Sequence, residues 1–269
     1  MHHFVIDQMQ RKVKIPTHPK RIVSLVPSQT ELLFYLGLDE EVVGITKFCV
    51  HPHVMFKSKP RVGGTKKYNF EKIQSLEPDL IIGNKEENDQ TQIELLEKEY
   101  SIWMSDIFNL EDALEMILEI GKIVNKESAA EVLIEKITDS FQHCEQVIRQ
   151  FIHRPRVAYF IWKNPTMVAA SQTFIHEMLE IAGFENIFAT ETRYPQISDP
   201  QLATARPEVI LLSSEPFPFK EKHVKEIQAV CPDAEIKLVD GEIFSWYGNR
   251  LLLAGTYFKK LRLSIEETS

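Results

Sequence analysis

The sequence is short of the residues that mark several common chemistries. Only three cysteines occur in 269 residues, Cys49, Cys144 and Cys231, an odd number and widely spaced. They make no disulfide framework and suit a reducing compartment. The ten glycines include no Walker loop, no GxGxxG turn and no GxSxG elbow, so phosphate-cradle and hydrolase signatures are missing. Gly63-Gly64 reads as an ordinary turn. No stretch approaches the roughly 20 consecutive apolar residues of a membrane-spanning helix. Positive charge is also in deficit, with 31 Lys and Arg against 39 Asp and Glu and a formal charge of -8. Without a basic excess to displace phosphate counterions, general nucleic-acid binding is excluded. The locally basic RKVKIPTHPK at 11–20 reads as a solvated lead-in.

What remains is the composition of a soluble globular protein, 43% hydrophobic and 26% charged. The length allows one large or two modest domains. The opening MHHFVIDQMQRKVKIP carries no signal-length apolar run, cleavage site or lipobox cysteine. The chain as written is therefore expected in the cytoplasm, or in the periplasm if an export signal is missing from it.

The longest Gly- and Pro-free stretch is KESAAEVLIEKITDSFQHCEQVIRQFI, residues 126–152. Its apolar positions Ala130, Leu133, Ile134, Ile137, Phe141, Cys144, Ile148 and Phe151 step by three and four, one stripe of a helix. At about 1.5 Å per residue it would span roughly 40 Å, more than a small domain, and it sits mid-chain. That reads as a strut between two lobes, against the plainer alternative of a long helix on one core.

Either side, strands alternate with helices, the pattern of a parallel α/β sheet. RIVSLV ends in Pro27, and Ser28-Gln-Thr-Glu31 has capping-box spacing. Strands follow at 42–46, 80–82 and 101–104, and helices near 70–76, 91–100 and 110–124. After the central helix come strands at 156–162, 209–212 and 236–239. Helices are expected after Ser171-Gln-Thr173, at 200–205, 219–230 and 249–263. The second half repeats the first: EKIQSLEPDLIIG is echoed by PQLATARPEVILLS, each a short helix, a breaking proline and an apolar strand. The expected fold is α/β, two parallel-sheet lobes joined by one long backbone helix, with a ligand cleft between them. Its parts are a lead-in (1–20), an N-terminal lobe (21–108), a helical linker (109–152) and a C-terminal lobe (153–269).

Ligands of parallel sheets collect beyond the carboxyl ends of the strands. The loops there are rich in Phe48, Tyr68, Trp162, Tyr194, Phe217, Phe219, Phe244, Trp246 and Tyr247, flat side chains that suit a large planar ligand. Half of these are expected to cap lobe cores, Phe48 and Phe244 first. The FCVHPH run puts Cys49, His51 and His53 within five residues. A structural zinc lacks a distant partner ligand, so no metal site is expected. His51 or Cys49 could serve as one axial donor to a metal already held in a macrocycle, against the plainer reading as loop residues. A thiol enzyme using Cys49, with His51 or His53 as base, lacks a third orienting group.

RIVSLVPSQTELLFYLG, then VVGITKFCVHP, RVGG, the short helix before PDLII, and ENIF followed by YPQIS resemble the cobalamin-binding proteins of bacterial ABC importers. More broadly the chain resembles the helical-backbone metal receptors, which also bind haem and ferric siderophores. The resemblance runs from about Arg21 to the final helix. It implies a non-catalytic, monomeric receptor that needs no cofactor. Its ligand would be a metal chelate, cobalamin or another corrinoid first, haem or a ferric siderophore otherwise. It implies ligand contacts from Phe48, Cys49, His51 and Tyr68, from Trp162, from Tyr194 where the family has a tryptophan, and from Glu242, Phe244 and Trp246. Siderophores are disfavoured because only Lys66, Lys67 and Arg193 approach a cationic cluster. The family docks on an ABC permease through a glutamate on each lobe. Gln90 and Pro200 stand at the matching positions, with Glu86, Glu87 and Asp199 nearby. That departure and the missing export signal make a cytoplasmic storage, sensing or delivery protein the alternative.

Overall fold

The computed structural model describes residues 1–266. Its contacts divide the chain into two compact units. The first comprises Met1–Ile107, Glu111–Lys136 and Trp246–Arg250. The second comprises Phe108–Leu110, Ile137–Ser245 and the chain from Leu251 onward.

In the first unit the expected solvated lead-in is instead an antiparallel hairpin, β1 (His2–Ile6) with β2 (Lys12–Pro16). Its side chains alternate: Phe4 and Ile6 stay exposed, while Ile15 opposite His3 is fully buried. The turn is closed by the Asp7 carboxylate, which accepts hydrogen bonds from the Met9 and Arg11 backbone and pairs with the Arg11 guanidinium. Composition alone concealed this, because a two-faced five-residue strand needs only two or three inward apolar residues.

The main sheet of this unit is β3 (Ile22–Ser24), β4 (Val42–Ile45), β5 (Leu80–Asn84) and β6 (Ile102–Ser105). The strands are parallel in the order β4-β3-β5-β6. Ile22, Val23, Leu80, Ile81 and Ile82 are fully buried, as strands covered on both faces require. The helices are α1 (Pro27–Tyr35), α2 (His53–Ser58), α3 (Phe70–Ser75), α4 (Gln90–Leu96), α5 (Leu110–Ile123) and the start of α6 (Glu127–Ile148).

The second unit holds β7 (Arg156–Trp162), β8 (Met167–Val168), α7 (Phe174–Ile181), β9 (Glu185–Asn186), α8 (Asp199–Ala205), β10 (Val209–Ser213), α9 (Glu221–Gln228), β11 (Glu235–Val239), α10 (Gly241–Ser245) and α11 (Leu251–Glu266). Its parallel strands run β9-β7-β10-β11, with β8 antiparallel on β7. Both sheets therefore share the strand order second, first, third, fourth. The echoed strings fall on equivalent places, α3 to β5 and α8 to β10. Even the breaks match: Glu77 (φ 44°) and Arg206 (φ 48°) both take the left-handed conformation before their prolines, which ends the helix in one step.

Helix α6 has 22 residues and is about 33 Å long. It stops at Ile148 rather than Ile152, where Gln150 and Phe151 donate to Val147 and Ile148 three residues back, tightening the last turn. Residues 127–136 belong to the first unit and 137–148 to the second. The expected stripe is the buried face: Ala130, Leu133, Ile137, Phe141 and Cys144 are buried.

Candidate functional site

In the first unit, the carboxyl ends of the strands open onto a buried polar network. The Thr30 hydroxyl donates to Ser24 Oγ (2.7 Å) and contacts Cys49 Sγ (3.1 Å), which also meets Thr46 Oγ1 (3.1 Å). Across the sheet, Gln29 and Asn84 donate to Ser105 Oγ at 2.6 and 3.0 Å. The Asn84 side-chain oxygen accepts from the backbone of Glu86 and Glu87 (2.9 and 3.0 Å). These groups satisfy loop backbone that would otherwise be buried without partners.

That network decides several predicted residues. Cys49 is fully buried and its burial, foremost, pushes the thiol up despite the Thr30 and Thr46 hydrogen bonds. A thiol so placed is inert by its surroundings, so the core packing of Cys49 runs against the expectations of it as nucleophile or axial donor. Tyr68, expected as a ligand contact, is 6% exposed in the hydrophobic core, with its hydroxyl donated to Thr65 O at 2.7 Å. Phe48 departs the other way. Expected to cap a core, it is 50% exposed, with Lys47 Nζ 4.9 Å from its ring centre. His53 is exposed at the start of α2, whereas His51 is half-buried. Among the described residues no group of three or more His, Cys, Asp or Glu could hold a bare metal ion.

His51 rests edge-on against Trp246, ring centres 5.7 Å apart at 70°. Trp246 is 6% exposed and carries the Arg250 guanidinium 4.7 Å over its ring. Arg250 in turn grips Glu31 with two hydrogen bonds, Nε to Oε2 at 3.0 Å and Nη2 to Oε1 at 2.8 Å. Glu31 is therefore not the second half of a capping box. Helix α1 starts at Pro27 with Val26 as its cap and no side-chain capping bond, because proline at the first position is pre-set for the helix. The 246–250 segment lies between α10 and α11 in sequence yet belongs to the first unit. Gly248 (φ +118°) lets it pass: a Cβ there would meet Ser28 O at 3.3 Å and Leu32 Cβ at 3.4 Å.

In the second unit the corresponding strand ends are aromatic. Trp162 is 39% exposed and stands edge-on to Phe217 at 5.8 Å; Phe217 packs on Phe219 at 4.8 Å. Tyr194 is half-buried beneath Arg193, whose guanidinium is 5.7 Å from its ring and 5.9 Å from that of exposed Phe108. Phe244 is fully buried between Tyr159 (5.0 Å) and Phe258 (4.8 Å). It is core, as its capping role anticipated. Glu242 is half-buried in the first turn of α10, its backbone held by Asp240. A cavity of about 1080 Å³ lies at the other, amino-terminal ends of these strands. Lined by Pro155, Pro207, Val209, Cys231 and Ile265 among others, it includes none of the predicted residues.

Residues 22–231 match the model of the periplasmic binding protein family. The chain belongs to that family. It is 27% identical over 198 residues to a vitamin B12-binding protein of Vibrio vulnificus, covering 72% of this chain and 71% of the relative. It is 26% identical over 212 residues to an uncharacterized ABC transporter substrate-binding lipoprotein, YvrC, of Bacillus subtilis, covering 76% and 67%. A periplasmic haem-binding protein from Pseudomonas aeruginosa has the same fold, with a TM-score of 0.80, 21% identity, and 90% and 92% of the two chains covered. These relatives are binding proteins by name, not enzymes. Among the described residues no helix is long and apolar enough to cross a membrane.

Of the residues expected at the docking positions, Asp199 is exposed in the first turn of α8, whose N-cap is Ser198. Glu86 and Glu87 are half-buried, and burial above all, with the Glu86 charge behind it, raises the Glu87 carboxyl against the pull of Lys66. Lys66 itself donates to Glu86 O at 2.6 Å, so it is committed to this loop. Sequence reasoning missed the Glu31–Arg250 pair. Its partners stand 219 positions apart, and the capping-box spacing offered a local use for Glu31.

Proposed function

We propose that this chain is the substrate-binding component of an ABC-type importer for a metal chelate, a corrinoid first and haem second. The observation that carries the reading is His51: a half-buried imidazole at the carboxyl end of a parallel sheet, set against an indole. An imidazole there suits the open axial position of a metal already held in a planar macrocycle. The exposed Trp162 ring, backed by half-buried Phe217, gives the second unit a face that suits the same class of planar ligand. The vitamin B12-binding and haem-binding relatives support this class. A ferric siderophore is disfavoured because Lys66 is held by its own loop and Arg193 stacks on Phe108 and Tyr194.

Catalysis is not part of the proposal, since the one candidate nucleophile is buried. Asp199 is the most accessible of the three carboxylates for permease docking, with Glu86 and Glu87 lesser contributors. Ligand class is tested by calorimetric titration of the purified protein with aquocobalamin, cyanocobalamin, haemin and a ferric catecholate. Heat with a corrinoid or haemin and none with the catecholate is expected; heat with the catecholate alone overturns the reading. Fractionation of the native host tests the compartment, because protein confined to the cytosol would favour storage or delivery over import.

A further inference from the structure

The geometry points to Glu31, Arg250 and Trp246 as a relay that positions His51, a role for these residues that rests on the reading of His51 as an axial donor. Each link is a directional contact. Glu31 and Arg250 make a two-pronged carboxylate–guanidinium pair, the arrangement that fixes orientation as well as distance. Their side chains are only 17% and 12% exposed, so solvent competes weakly for either partner. The guanidinium plane lies over Trp246, a cation–π contact that holds the indole. The indole presents its face or edge to His51 at 70°, a favoured aromatic geometry.

The burial order supports this division of labour. Trp246, expected as a ligand contact, is 6% exposed and has little surface left to offer a ligand. His51 keeps more. A donor imidazole must present one nitrogen along a fixed direction, and metal sites achieve this with residues behind the ligand rather than around the metal. Helix α1 supplies a rigid base for the relay: Glu31 lies within it, and Thr30 on the same helix ties it to Ser24 and Cys49. Cys49 is two residues before His51, so the loop is anchored from both sides. The distant segment 246–250 is thus recruited as a brace.

The test compares wild type with Glu31→Gln, Arg250→Gln and the charge-exchanged double variant E31R/R250E, using aquocobalamin and haemin as probes and their visible spectra as readout. Loss of a residue that orients a metal-bound histidine costs about tenfold to a hundredfold in affinity. Both single variants are expected to lose that much affinity in the spectral titrations, the exchanged pair to regain part of it. Glu208→Gln, which disturbs a separate pair with His153 and Arg156, is expected to leave it unchanged. Wild-type responses from folded Glu31→Gln and Arg250→Gln would overturn the relay. If wild type responds to neither probe, the axial-donor reading fails, and a second arm still decides the relay itself. Indole emission, recorded in a Trp162→Phe background, is compared for His51→Ala, Arg250→Gln and the two combined. Non-additive changes support coupling through Trp246; strictly additive changes contradict it.

Discussion

The two sheets share one strand order but finish their carboxyl ends in opposite chemistry. In the first unit the rim is a buried hydrogen-bond network of Ser24, Thr30, Thr46, Asn84 and Ser105. In the second it is a set of touching rings, Phe160, Trp162, Phe217 and Phe219 above a core of Tyr159, Phe244 and Phe258. Polar groups fix loop backbone and hold residues such as His51 in a defined place. Rings supply contact area and stiffness with little directional demand. One strand order thus carries two different rims.

The comparison predicts different costs for damage at equivalent depths. The largest effect is expected in the ring core. Phe244→Ala should cost about 3–5 kcal/mol of unfolding free energy, as large-to-small changes in tight cores do, read by urea denaturation; a loss below about 1 kcal/mol would mean the ring packing there is dispensable. Next is the polar rim, where Asn84→Ala leaves the Glu86 and Glu87 loop amides without their acceptor. A cost of about 1–3 kcal/mol follows for groups left buried without partners.

Glu87→Gln should act with the opposite sign. Because the folded carboxyl is raised by burial, its ionised form penalises the folded state above the ordinary carboxylate range. The penalty fades as acid protonates the group in both states. The Gln variant should therefore melt slightly higher than wild type near pH 7.5, with the gap closing toward pH 4. A gap that widened in acid would contradict the burial argument. The smallest effect is expected at Phe48. Half-exposed, with the Lys47 ammonium over its ring, it should change stability by less than about 0.5 kcal/mol on conversion to alanine.

Much of this fold could be read from the chain because its rules are local. Apolar strands bounded by Pro78 and Pro207 became the paired β5 and β10, and the three-and-four stripe became the buried face of α6. The hairpin 2–16 escaped because its inward residues are few and its charges dominate the composition. The site was harder, and the reason is physical. An aromatic in a rim loop can point either way, and sequence does not encode which. Phe48 and Cys49 are adjacent, yet one is exposed and the other fully buried, because a turn closed by the Cys49 amide on Thr46 O brings the thiol back onto Thr30 and Thr46. Glu31 shows the second difficulty: two partners satisfy the same carboxylate equally well on paper, and only the arrival of Arg250 from the far end of the chain selects between them.

The measurement closest to the central claim sets wild type beside His51→Ala in visible titrations with aquocobalamin and cyanocobalamin. The first has an exchangeable axial water, the second an axial position already filled by cyanide. If His51 is the donor, wild type should shift the aquocobalamin spectrum and bind it more tightly than cyanocobalamin, and His51→Ala should lose both the shift and the preference. Identical affinities and unshifted spectra in wild type, or a shift that survives in His51→Ala, would contradict it.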